Sequence, residues 1–300
     1  MSKNAYITVL STEEYLVGVL VLGKCLKKVN SKYNLVTLVN GDISEKSKQI
    51  LKHNDIEIIE TESFKVPEWI KNKNSTNHAN WTYTFDKLII FELIQYDKLV
   101  FLDSDMYIRN NIDELFDRPH MSATVDRCDT ILVKDTYQKL TSGLLVIKPH
   151  KGIMDKFLEI MEDDSIKNKY DNIGDQDIIQ LYDPNWENKK ELHLPVKYNM
   201  FFLDIEYYIN KGIYALDDIS VIHFITANKP WKYNKEELTT KYLDWLEFVS
   251  KRDYEKGKLE ETRENIEFGR ENKKVIIEEY GKIMFECMKQ KESIWLNSKE

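Results

Sequence analysis

Two aspartates, Asp103 and Asp105, end an apolar run in the stretch VFLDSDMYIRN. Apolar residues resume at once with Met106, Tyr107 and Ile108. In extended backbone, residues i and i+2 point to the same side, roughly 6.6 Å apart. Two carboxylates held that way repel unless a cation lies between them. Hard oxygen ligands of this type suit Mn²⁺ or Mg²⁺. The alternative is a solvated turn with aspartate as a cap, and the pattern alone leaves both open. His223, in SVIHFITANKPW, ends another apolar run and is either a packed residue or a third ligand. Lys87 and Lys229 are surface charges or counter-ions. The segment TSGLLVIKP reads as a turn into a strand, and GDQD as a helix start that carries Asp175 in its first turn.

The elements that must hold these residues follow from periodicity. AYITVL is a β-branched apolar run, and YNLVTLVN and IEIIE are two more. Between them, STEEYLVGVLVLGKCLKKV and SEKSKQILKHN carry helical spacing, the first opened by Ser11 and Glu14 in a capping-box pattern. The order β-α-β-α-β predicts an α/β fold with a mainly parallel sheet flanked by helices. In such sheets ligands bind beyond the carboxyl ends of the strands, where Asp103 and Asp105 fall. The polar segment Thr61 to Trp81 reads as a loop or lid. YTFDKLIIFELIQY reads as a helix, KLVFLD as the next strand, and NIDELFD as a short helix. SATVD, SGLLVIKP and VIHF read as further strands, and GIMDKFLEIMEDD and GDQDIIQLYD as helices. After Trp231 the chain turns charge-rich, with apolar residues at helical spacing (Leu238, Tyr242, Trp245, Val249; Ile276, Tyr280, Ile283). The division expected is a domain over 1–231 and an amphipathic helical extension over 232–300. That extension packs on the domain in one reading and forms a dimer or partner surface in the other. A homodimer is the assembly expected.

Composition narrows the function classes. The 300 residues carry 43 basic and 51 acidic side chains, a net charge of −8, which speaks against a nucleic-acid partner. No glycine-rich phosphate loop of the Walker or dinucleotide type is present, so a phosphate-bearing ligand must be met by lysines or a metal. Cys25, Cys128 and Cys287 are far apart, which suggests a reducing compartment and no zinc site. No apolar run approaches the ~18 residues of a membrane span, and the N-terminus lacks a signal-peptide core. A soluble, cytoplasmic protein is expected.

Taken in order, FDKL, the D-x-D after a buried strand, SGLLVIKP, GDQ, HLPVKYN and HF-x5-KPW resemble glycosyltransferase family 8, most closely its glycogenin branch. The resemblance runs from Ala5 to about Trp231. It implies a Rossmann-like, metal-dependent type A fold and a retaining transferase that moves a hexose, glucose by default, from a UDP-sugar. Asp103, Asp105 and His223 would hold Mn²⁺ or Mg²⁺, which offsets charge on the UDP leaving group. Lys229 would add a second cation to the phosphates. Val9, Ser11 and Tyr15 match positions that cradle uridine, and Tyr83, Ser104 and Thr226 belong to the same donor site. Lys87, Asp126, Thr141, Ser142 and Gly143 match positions lining the donor sugar. Asp175 and Gln176 match the pair beside the anomeric carbon, with Asp175 and Lys87 as the catalytic pair. Two positions depart from the family's pattern: Thr141 stands where asparagine is usual, and Thr226 where glycine is usual.

Branch members that glucosylate themselves carry the acceptor tyrosine just after the HLP..YN segment, so Tyr207 and Tyr208 are the acceptor candidates here. The competing acceptor is a separate protein, glycan or polyol. Two other classes fit the sequence less well. A D-x-D-x-T phosphatase places its aspartates after the first strand and follows them with Thr or Val, whereas Tyr107 follows here. A UDP-sugar-binding protein without turnover has no reason to keep six charged residues together.

Overall fold

The AYITVL run forms strand β1 (Asn4–Leu10) at the centre of the molecule, seen here in a computed structural model that describes residues 3–76, 78–125, 139–255 and 269–297. Helix α1 (Leu16–Lys28), β2 (Leu35–Asn40), α2 (Glu45–His53) and β3 (Glu57–Thr61) follow. The strands β1, β2 and β3 pair in parallel, as the alternating pattern predicts. Next come α3 (Glu68–Asn74), β4 (Lys98–Leu102), β5 (Met106–Ile108), β6 (Ser122–Val125) and β7 (Leu140–Ile147). Helices α4 (Ile153–Glu162), α5 (Asp164–Lys169) and α6 (Asp175–Tyr182) then lead to β8 (His193–Leu194) and β9 (Met200–Phe201). Helix α7 (Ile205–Asn210), β10 (Val221–His223), α8 (Leu243–Glu255) and α9 (Glu271–Asn297) complete the described chain.

The main sheet has seven strands in the order β3-β2-β1-β4-β7-β6-β8, and only β7 runs against the others. A second, three-stranded sheet pairs β10 with β5 and β9. Strand side chains alternate between the two faces of the main sheet, so each face builds its own core. Tyr6, Val100, Leu102, Leu144 and Val146 join α1 and α9 on one face. Ile7, Leu99, Phe101, Leu145 and Ile147 join Phe85, Phe91, Phe157 and Trp186 on the other.

Two local expectations need correction. Residues Ala79–Glu92 form a run of 3-10 turns instead of an α-helix. Three residues per turn aligns Phe85, Leu88 and Phe91 against the core, and Thr84 and Lys87 on a common side. The capping box at Ser11 and Glu14 does not form. The Ser11 hydroxyl donates to the buried Asp86 carboxylate at 2.7 Å, and Glu14 pairs with Lys232 at 2.7 Å. A charge-assisted bond to a distant residue outcompetes the local cap. Of the two readings of the segment after Trp231, the contacts fit the one in which it packs on the domain: Ile276, Ile277, Tyr280, Met284 and Cys287 of α9 belong to the same cluster as α1 and Tyr107. Lys24 of α1 and Glu286 of α9 also form an ion pair, at 2.6 Å. No helix among the described residues is long and apolar enough to cross a membrane.

Candidate active site

The LDSD segment is a turn between the two sheets. β4 ends at Leu102 in the main sheet, and β5 begins at Met106 in the small one. Asp103 and Asp105 therefore do not sit in extended backbone, but the turn still brings their carboxylates together. Its ends are pinned: Asp103 N–H donates to the Gly143 carbonyl at 2.8 Å, and the Asp105 carbonyl accepts from Phe224 N–H at 3.0 Å. Helix α1 presses on the turn at Gly18, where any Cβ would collide with the Ser104 carbonyl oxygen.

Strand β10 places His223 opposite Met106 of β5 and beside Phe201 of β9. His223 Nε2 lies 3.0 Å from Asp105 Oδ1 and 3.8 Å from Asp103 Oδ2. One ligand atom from each of the three residues lies within 4.8 Å of the other two. The ring fits because residue 143 is glycine: a Cβ there would stand 2.7 Å from His223 Cε1 and 3.1 Å from Asp103 Oδ2. Two carboxylates and one imidazole are a donor set for a hard or borderline divalent cation, and they leave further coordination positions open.

Two buried lysines balance the carboxylates. Lys229 Nζ lies 2.5 Å from Asp105 Oδ2 and donates to the Phe224 carbonyl at 2.7 Å. Burial opposes charge on Asp105, but Lys229 and His223 outweigh it and hold its carboxyl well below the usual range. Lys87 Nζ bridges Asp103 Oδ1 at 3.2 Å and Asp175 Oδ2 at 2.9 Å. It lies 4.7 Å above the Phe101 ring. Burial works against the Lys87 ammonium too, yet Asp103 and Asp175 push its pKa above the ordinary lysine value. Asp175 opens α6, where a negative charge suits the helix N-terminus. Burial raises its pKa, and Lys87 with the Thr84 and Ser142 hydroxyls more than reverses that, so the carboxylate stays ionised. Ser142 Oγ donates to Asp175 Oδ2 at 2.8 Å, and Ser142 N–H donates to Gln176 Oε1 at 3.1 Å.

A cavity of about 340 Å³ lies against this cluster. Val9, Ser11, Tyr15, Tyr83 and Ser104 line it together with Lys87, Asp103 and Asp105. Tyr15 meets Trp231 edge to face at 5.5 Å, with Lys229 Nζ 5.8 Å from its ring. Three residues expected at the donor site make contacts within the chain. Thr141 Oγ1 turns into the wall, where it bonds Thr124 and Asn199. Thr226 Oγ1 donates to the Asn228 carbonyl at 3.0 Å and shapes the loop before Lys229. Lys229 is committed to Asp105. Asp126 lies outside the described residues.

The acceptor candidates lie in the core. Tyr207 and Tyr208 of α7 are 3% and 1% exposed. They pack edge to face on one another at 5.4 Å within the main core cluster. An aromatic pair at this point of the sequence folds inward because its apolar area is worth more in the core than at a surface. Sequence reasoning also missed Gly18, Thr84, Asp86 and Asn199. Of these, Asp86 and Asn199 had a visible signal, as members of the FDKL and HLPVKYN segments.

An open α/β sheet with an acidic turn beyond its strand ends, faced by a histidine from a second small sheet, is the type A architecture of nucleotide-sugar transferases. The chain belongs to glycosyl transferase family 8, whose profile matches residues 6–235. It is 31% identical over 244 residues to an uncharacterised protein of Acanthamoeba polyphaga mimivirus, in a match that spans 77% of this chain and 83% of that one. It is 27% identical over 248 residues to glycogenin-1 of Homo sapiens, covering 80% of this chain and 65% of glycogenin-1. It is 28% identical over 265 residues to galactinol synthase 6 of Arabidopsis thaliana, covering 78% and 75%. Among solved structures, the galactosyltransferase LgtC in complex with donor and acceptor sugar analogues superimposes with a TM-score of 0.53 at 16% identity, over 79% of this chain and 94% of that one. This last likeness is one of fold.

Proposed function

We propose that the protein is a retaining, metal-dependent hexosyltransferase that moves glucose from UDP-glucose to a separate acceptor. The observation that carries this reading is the meeting of Asp103, Asp105 and His223 with the Lys87–Asp175 ion pair beside one cavity. The three ligands fit a divalent ion of the Mn²⁺ or Mg²⁺ kind. Such an ion, when bound, offsets the charge that builds on a diphosphate leaving group. The protein's own groups do the rest. Lys87 and Lys229 leave three carboxylates one charge in excess, a poor seat for a bare diphosphate and a good one for a diphosphate that arrives with a cation. Tyr15 and Tyr83 offer rings to a uracil. Asp175 faces the sugar end and stays ionised, so it stabilises positive charge as it grows on the anomeric carbon. Lys87 and Ser142 both meet its Oδ2 and lower its basicity, which favours electrostatic stabilisation over covalent attack. The burial of Tyr207 and Tyr208 favours an external acceptor.

The test is intact mass and UDP release after incubation with Mn²⁺ and a panel of UDP-sugars. UDP release from UDP-glucose above all other donors, with no mass shift, is the expected result. Asp105→Ala should abolish metal-dependent UDP binding, and Asp175→Asn should keep it while losing transfer ~10²–10³-fold. Release by Asp105→Ala at the wild-type rate would remove the metal assignment. A ladder of hexose additions would restore self-modification at another residue.

A further inference from the structure

We infer that Asn199 is a positioning residue that fixes which nitrogen of His223 faces the metal position, a role that rests on the metal-site reading above. Asn199 is 3% exposed and lies immediately before β9, the strand that pairs with β10 beside His223. Its amide touches three side chains. Asn199 Oδ1 lies 2.9 Å from His223 Nδ1. Asn199 Nδ2 lies 3.2 Å from Thr124 Oγ1 and 3.0 Å from Thr141 Oγ1.

The direction of every proton in this cluster follows from counting hydrogens. Each threonine hydroxyl has one. Thr141 donates its hydrogen to the Thr124 carbonyl at 3.0 Å. The contact between the two hydroxyl oxygens must then be made by the Thr124 hydrogen. Both hydroxyls are spent as donors, so each can only accept from Asn199. The amide must therefore turn its NH₂ toward the threonines and its carbonyl oxygen toward the histidine. A carbonyl oxygen only accepts, so Nδ1 of His223 carries a proton. Nε2 is left to face Asp105 and Asp103. It is the nitrogen that a cation between those carboxylates would meet.

The other ring orientation would set carbon atoms against Asn199 Oδ1 and Asp105 Oδ1 and lose both contacts. Gly143 lets the Cε1 edge lie close, and Phe201 meets the ring edge-on at 5.7 Å. A buried carbonyl aimed at Nδ1 thus does in this chain what outer-shell partners of metal-bound histidines do generally: it sets tautomer and ring plane. Thr141 acquires a purpose here as well. Its short hydroxyl reaches back into the wall, and that reach locks the Asn199 amide.

The experiment compares wild type with Asn199→Leu and Asn199→Asp. Leucine keeps the volume and removes the acceptor. Aspartate keeps an acceptor for Nδ1–H, and its second oxygen can take the Thr124 hydroxyl. Mn²⁺ affinity is read by electron paramagnetic resonance in the presence of UDP. The Nδ1–H proton of His223 is read by ¹H–¹⁵N NMR of the metal-free protein. Asn199→Leu should lose the Nδ1–H correlation and bind Mn²⁺ roughly 10- to 100-fold more weakly. Asn199→Asp should restore both, which a role in packing alone would not produce. If wild type binds no Mn²⁺ but shows the Nδ1–H signal, the metal reading fails and the hydrogen-bond assignment stands. If wild type binds Mn²⁺ and Asn199→Leu binds it equally well, the positioning role is overturned. Should Asn199→Leu fail to fold, Asn199→Ala carries the test. It removes the acceptor from His223 Nδ1 with no added bulk, and unchanged Mn²⁺ affinity together with an unchanged Nδ1–H signal would overturn the role.

Discussion

At the residue scale, the site is made as much by absent side chains as by present ones. Asp103, Asp105 and His223 stand out in the sequence because their types are ligand types. Gly143 stands out only as part of a motif, and its reason is steric. Gly143→Ala would push a methyl to 2.7 Å from His223 Cε1 and 3.1 Å from Asp103 Oδ2. The ring and carboxylate must then part. Overpacking of this kind costs about 1–3 kcal/mol. Calorimetric titration of Gly143→Ala should show Mn²⁺ affinity in the UDP complex falling at least ~10-fold, since two of three ligands move. Unchanged affinity would mean the site relaxes without cost.

At the scale of elements, helix α1 supports the acidic turn. Ten of its residues, Leu16 to Leu26 with Lys24 excepted, are buried, because the sheet covers one side and α9 the other. Gly18 sits where the helix touches Ser104. Glycine inside a helix ordinarily costs about 1 kcal/mol relative to alanine, so Gly18→Ala should stabilise on propensity alone. The collision with the Ser104 carbonyl reverses the sign, because backbone cannot rotate away as a side chain can. Thermal denaturation of Gly18→Ala should show a lower Tm together with weakened metal-dependent UDP binding. A raised Tm would mean that the turn has slack. The same scale explains the 3-10 run at Ala79–Glu92. Its apolar content points to a helix, but the tighter spacing is what delivers Thr84 and Lys87 together to Asp175.

At the scale of the whole molecule, the C-terminal extension is part of the core. Tyr280 of α9 is fully buried and packs on Tyr107 at 5.6 Å and Phe224 at 4.7 Å. Tyr107 lies in β5, just after Asp105, and Phe224 follows His223 at the end of β10. Tyr280→Ala would open a cavity under the site and is expected to cost about 3–5 kcal/mol, as large aromatic truncations do. Denaturant titration of that variant should give a lower midpoint with an unchanged m value. If the midpoint shift multiplied by m came to less than a tenth of this cost, α9 would be an appendage after all.

The parallel β-α-β-α-β start, the acidic turn at a strand end, the GDQ helix start and the helical extension were legible in the sequence. Each depends on local periodicity or on residue types whose chemistry is narrow. Tertiary structure alone decided the rest. It decided that the turn joins two sheets, that Lys229 pairs with Asp105, that Lys87 bridges Asp103 to Asp175, and that Thr141 faces Asn199. It also decided that Tyr207 and Tyr208 are core residues. The physical reason is the same in each case: partners separated by tens of residues in the chain compete with local preference, and burial makes their bonds stronger than anything a neighbour in sequence can offer.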